Sequence, residues 1–165
     1  MPRGKHRSVA NCGHLREYEI INFNREDIHG RSWSDPQAII VAPEQGRVYE
    51  MNRIRAIFKA DCEETAGRYS VSEWWLEPRT RDPGVHARPE DHVFYVIAGT
   101  LSLRVNDDWS QVAKGTYAVI PGGTPHDFEN QGPVPSGFMA FTSPGGFEAR
   151  MADIAPALAT ADLDM

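Results

Sequence analysis

From Gly46 onward the chain is cut at short, regular intervals by proline and glycine, and between the cuts stand runs too short and too β-prone for helices. The runs are Arg47 to Lys59, Arg68 to Glu77, His92 to Ala98, Thr100 to Val105, Thr116 to Ile120, His126 to Asn130 and Gly137 to Thr142. They are separated by Asp61 to Gly67, the polar connection Arg79 to Asp91, Gly99, Asn106-Asp107-Asp108, Lys114-Gly115 and Pro121 to Pro125. Short strands at this spacing, joined by turn residues, form a meander that closes into a sandwich or barrel. In Arg68 to Glu77, Val71, Glu73 and Trp75 alternate with Ser72, Trp74 and Leu76, so both faces carry bulk, as a sheet closed or sandwiched on itself requires. Upstream, Tyr18 to Phe23 reads as an edge strand and Gln37 to Ala42 as a strand stopped by Pro43. Only the tail has helical period: Phe147, Met151, Ile154 and Leu158 are spaced four, three and four apart, which predicts one amphipathic helix capping the barrel. The expected divisions are residues 1–36 as an N-terminal arm with an edge strand, 37–146 as the barrel, and 147–165 as helix and tail.

Length and charge narrow the function. A chain of 165 residues makes one domain with one core. With 41% hydrophobic residues, mean hydropathy -0.47 and no apolar run near the ~20 residues a bilayer needs, a membrane span is not expected. A formal net charge of -6 argues against a nucleic-acid surface, because phosphate binding needs a cationic face and the basic start from Arg3 to Arg7 is too short to supply one. Cys12 and Cys62 show no CxxC spacing, so neither a disulfide framework nor a zinc-thiolate site is indicated and both read as unpaired thiols. Residues 1–16 lack the apolar core of a secretory signal, leaving the cytoplasm as the expected compartment. No Gly-x-Ser-x-Gly elbow, phosphate loop or dinucleotide glycine fingerprint occurs, which weakens hydrolase, nucleotide and nicotinamide readings.

Three histidines stand beside turns. His86 lies in the loop before the run Val93 to Ile97, His92 opens that run, and His126 follows the rigid Pro121-Gly122-Gly123-Thr124-Pro125. The period of two places His92, Phe94 and Val96 on one face, and likewise His126, Phe128 and Asn130. If both faces point into one barrel, imidazoles meet among phenylalanines in a water-poor pocket, where each needs a hydrogen-bond partner or a metal. Neutral imidazoles suit Fe, Ni, Zn, Cu or Mn, and ligand type alone does not choose among them. Such an ion polarises a carbonyl or enolate oxygen, lowers the pKa of bound water or, if redox-active, engages dioxygen. Phe94, Phe128 and Trp75 favour a flat or aromatic substrate. Glu73, Glu90 and Asp91 are the candidate general bases, and Arg88 either steers an acidic substrate or pairs with Glu90.

Gly84 to Gly99 resembles the first motif of the cupin superfamily, and Pro121 to Asn130, a Pro-Gly turn followed by Pro-His and an asparagine, resembles the second. Glu63 to Tyr69 and Ser143 to Glu148 further resemble the quercetin-dioxygenase-like group of single-domain bacterial cupins. The resemblance covers about residues 38 to 150. It departs from the family pattern in the first motif, where the family's second histidine should fall at about Ala87 or Arg88, which are not histidines, and His92 stands in place of the usual glutamate. The resemblance implies an all-β single-domain cupin, a double-stranded β-helix or jelly-roll barrel, whose pocket holds one divalent transition metal on His86, His92 and His126. Imidazole in place of a carboxylate raises the charge of the site and favours an anionic enolate, phenolate or carboxylate ligand. Quercetinase-like dioxygenase chemistry on a small aromatic or enolic molecule is the first expectation. Non-oxidative lyase, isomerase or polyketide-cyclase-like chemistry is the second, and a non-catalytic small-molecule-binding cupin the third. Family habit also implies a homodimer, with Tyr18 to Phe23 available for edge pairing.

Overall fold

The computed structural model describes residues 20–21 and 38–165, and its regular structure is almost entirely antiparallel strand. The arm expected over residues 1–36, with His6, His14, Cys12 and all but two residues of the strand Tyr18 to Phe23, lies outside the described residues. Within them, β1 (Ile20–Ile21) pairs with β2 (Ala38–Ile39). A six-stranded sheet then runs in the order β3 (Arg47–Met51), β4 (Ile54–Ala60), β5 (Ser70–Leu76), β11 (Ser136–Ser143), β6 (Asp91–Ala98), β9 (Tyr117–Ile120). A three-stranded sheet has the order β10 (His126–Glu129), β7 (Thr100–Val105), β8 (Asp108–Ala113).

The single strand expected over Arg47 to Lys59 is instead the hairpin β3–β4. Asn52 takes the left-handed backbone (φ 57) at its tip, a conformation asparagine tolerates better than most residues. A further strand, β8, follows the Asn106-Asp107 turn where none was expected; its residues are mostly exposed, so it carried no apolar alternation to read. Gly99 joins β6 to β7 with φ 64, and a Cβ there would stand 2.6 Å from the Pro135 carbonyl oxygen, so only glycine fits. Cys62 is disulfide-bonded, which corrects the expectation of two unpaired thiols; spacing along the chain does not say which thiols meet in space.

Alternation decides what faces the core. In β5 the buried residues are Ser70, Ser72, Trp74 and Leu76, while Val71, Glu73 and Trp75 lie on the opposite face. Register with β11 continues the buried face through Phe138 and Ala140, and β6 carries it on through Phe94 and Val96. The smaller sheet contributes Leu101, Leu103 and Phe128, so both sheets share one core. The tail is a single turn of 3-10 helix, η1 (Phe147–Arg150), running into α1 (Met151–Ala159), with Phe147, Met151 and Leu158 buried against that core. No helix among the described residues is long and apolar enough to cross a membrane.

Candidate functional site

The loop before β6 and the turn before β10 are laced together through their backbones. The His86 N–H donates to the His126 carbonyl (3.0 Å) and the His126 N–H donates back to the His86 carbonyl (2.8 Å). The Gly123 N–H donates to the Arg88 carbonyl (2.6 Å), and the Gly122 N–H donates to Asp91 Oδ1 (2.8 Å). Gly122 also lies so close to the Pro89 carbonyl that a side chain there has no room. Two segments forty residues apart in the chain thus form one rigid edge, and β6 brings His92 to it from the six-stranded sheet.

The three imidazoles gather at that edge. Ring centroids of His86 and His126 are 4.5 Å apart, and those of His92 and His126 are 5.1 Å apart. His86 Nδ1 lies 2.8 Å from the Gly84 carbonyl oxygen and His126 Nδ1 lies 2.9 Å from that of Thr124. A carbonyl only accepts, so Nδ1 carries the proton in both rings, and Nε2 of the neutral ring keeps its lone pair. Nε2 of His92 and of His126 is buried with no hydrogen-bond partner. Burial dominates their chemistry. It pushes His86 down to about 4 and His92 down to about 3, with neighbouring cations and rings adding to the shift, and it lowers His126 as well. All three are therefore neutral at pH 7, the form that binds metals or accepts protons.

These rings open on a cavity of about 320 Å³. Its walls are aromatic and aliphatic: Trp74 of β5, Phe94 of β6, Phe128 of β10, Phe138 of β11, Phe147 of η1, and Ile154 and Leu158 of α1. Trp74 stacks on Phe138 at 6.3 Å and 8° between planes, and Phe94 lies 4.6 Å from Phe138. Among the described residues, Arg88 is the one charged side chain in the lining, and Thr142, paired across the sheet with His92, adds a hydroxyl without a partner.

The other expected site residues fall elsewhere. Glu73 lies on the far face of β5, where its carboxylate is 3.5 Å from Lys59 Nζ. Trp75 shares that face and covers Gly137, so the indole in the cavity is Trp74; a strand's period of two puts neighbours on opposite sides. Glu90 is buried but receives Arg150 at 3.1 Å rather than Arg88, and Asp91 holds the Gly122 turn. None of the three carboxylates lines the cavity. Phe94, Phe128, Arg88 and the three histidines do. Sequence reasoning missed Trp74, Phe138, Thr142 and Phe147. For the first three the alternation was visible, but which face turned inward was not.

Among the described residues, no group of three or more His, Cys, Asp or Glu stands already arranged to hold a metal ion. The donor chemistry nevertheless suits one: neutral rings, Nδ1 protons tied to carbonyls, and buried Nε2 atoms without partners. Acid stability should report the same burial. For protein stripped of metal with EDTA, the unfolded chain takes up histidine protons from about pH 6.5 downward, which the folded chain resists until about 4 at His86 and about 3 at His92. Folding stability therefore falls as pH drops through that window. Urea unfolding at pH 7, 5.5 and 4.5 should show the decline, and His92→Gln should flatten it; equal slopes in the two proteins would refute the assignment.

Residues 72–141 match the family model described as Cupin domain. An RmlC-like cupin from Shewanella frigidimarina is similar in structure, with TM-score 0.56 and 15% identity over 66% of this chain and 92% of that one. KdgF from Halomonas sp. is similar at TM-score 0.59 and 15% identity, covering 68% and 98% of the two chains. Oxalate decarboxylase from Bacillus subtilis, described with Mn(II) centres, matches at TM-score 0.55 and 18% identity over 61% of this chain and 28% of its own. No curated protein matches the sequence. The two-sheet barrel is the cupin fold that these solved structures share, and the family match is confined to residues 72–141.

Proposed function

We propose that the protein is a cupin metalloenzyme that binds one divalent transition metal through His86, His92 and His126 and acts on a small aromatic or enolic molecule. The observation that carries this reading is the meeting of three neutral imidazoles at one apolar cavity, with two of their Nε2 atoms buried and unpartnered. A buried nitrogen left unsatisfied costs about 1–3 kcal/mol, which a bound ion recovers. The Mn(II) centres of the structurally similar oxalate decarboxylase lend support to a metal in this fold. The ion would supply Lewis acidity or, if redox-active, access to dioxygen. The chain's own residues do the rest: the Gly84 and Thr124 carbonyls orient two rings, and the aromatic walls hold a flat substrate away from water.

Quercetinase-like dioxygenase chemistry is the leading form of the reaction. Non-oxidative lyase, isomerase or polyketide-cyclase-like chemistry, with the metal as Lewis acid, is the second reading, favoured by the lack of a carboxylate among the described residues of the lining. Elemental analysis of protein purified without an affinity tag is expected to find close to one Fe, Ni, Cu, Mn or Zn per chain, and much less in His126→Ala. Metal-free wild-type protein, or equal metal in both, would sink the metalloenzyme reading. Oxygen uptake with flavonols and catechols then separates the two reactions, since the oxidative form requires it with at least one of them.

A further inference from the structure

We propose that the ligand of this cavity carries a carboxylate and that Arg88 is the residue that selects it. The inference deepens the ligand-site reading above and stands without the metal.

Arg88 lines the cavity, is half-buried, and its Nε is shielded from solvent with no hydrogen-bond partner. A guanidinium stays charged at any working pH and presents its donors as a planar fork, so a shielded Nε left unpaired is costly unless an anion arrives. The nearest acid does not serve. Glu90 Oε1 is taken by Arg150 at 3.1 Å, and Arg88 makes no ion pair with it. Arg150 adds a second positive charge near Arg88, so with Glu90 the three side chains carry a net charge of +1, and the described residues of the lining include no Asp or Glu.

The rest of the lining narrows the anion. Among the described residues of the lining, Arg88 is the side chain placed to balance a negative charge. The aromatic walls leave little hydration for a bare inorganic ion, so the charge belongs on an apolar body. A carboxylate matches the fork with two parallel hydrogen bonds, whereas a phenolate or enolate offers a single oxygen. The Thr142 hydroxyl, buried and unpartnered in the same lining, is free for an oxygen elsewhere on the ligand.

The test compares benzoate with its neutral isostere benzamide by titration calorimetry, on protein as purified and after EDTA. Wild type is expected to prefer benzoate by about 10- to 100-fold in both preparations, the range for hydrogen bonds to a charged group. Arg88→Gln should bring the ratio near one, and Arg88→Lys, which keeps the charge but loses the fork, should retain part of it. No benzoate binding, a wild-type ratio near one, or a ratio unchanged in Arg88→Gln overturns the proposal. The outcome is separable from the metal question. A preference that vanishes with EDTA or in His126→Ala but survives Arg88→Gln places the carboxylate on the metal and sinks the role of Arg88. A preference intact in metal-free protein leaves Arg88 standing whatever becomes of the metalloenzyme reading.

Discussion

Phe138→Ala is expected to destabilise the protein by about 3–5 kcal/mol, the usual cost of truncating a fully buried aromatic. Phe138 is fully buried in the middle of β11, between β5 and β6, and its ring contacts Trp74, Phe94 and Phe128 with centroids 6.3, 4.6 and 5.1 Å away. Removing it takes one wall from the cavity and the shared partner from three other aromatics, so the hole has no flexible neighbour able to fill it. Phe141, three residues on, is 39% exposed on the opposite face, and Phe141→Ala should cost well under half as much. Urea unfolding of both variants checks the pair. Equal losses would mean that the inward face of β11 is misassigned, and with it the cavity wall.

The second large effect is expected at Gly122, where the two histidine segments touch. Gly122→Val drives a branched side chain into the Pro89 carbonyl, and the backbone must give, because neither neighbour is a flexible side-chain end. Overpacking of this kind costs about 1–3 kcal/mol, concentrated here on the lacing that aligns His86 with His126. Native-state hydrogen exchange should then show the His86 and His126 amides losing at least about tenfold of their protection, while the Phe138 amide keeps its own until global unfolding. Uniform loss across all three amides would argue that Gly122 matters to overall stability and not to the alignment of the rings.

The strand run was legible because it depends on local signals. Pro78, Gly99, Asn106 and Pro121 interrupt the chain where extended segments must end, and between them the residues are β-branched or aromatic. The exceptions follow from the same rule. Asn52 splits a run that reads as one strand because its left-handed turn has no proline or glycine to announce it, and β8 escapes notice because an exposed edge needs no apolar face. The histidines were legible as candidates because each sits beside a turn, and His92 with Phe94 shares a face by simple alternation.

By itself, then, the sequence determined an all-β chain closed by one short helix, and the strand face that carries His92 and Phe94. Only the tertiary structure decided that His86 turns inward, because that depends on two backbone hydrogen bonds to His126, a residue forty positions away. It likewise decided that Trp74 rather than Trp75 faces the cavity, and that Glu90 is held by Arg150 and not by Arg88. Alternation along a strand says which residues share a side. Which side is buried depends on what packs against it, and that is a property of strand order and register, not of any one segment.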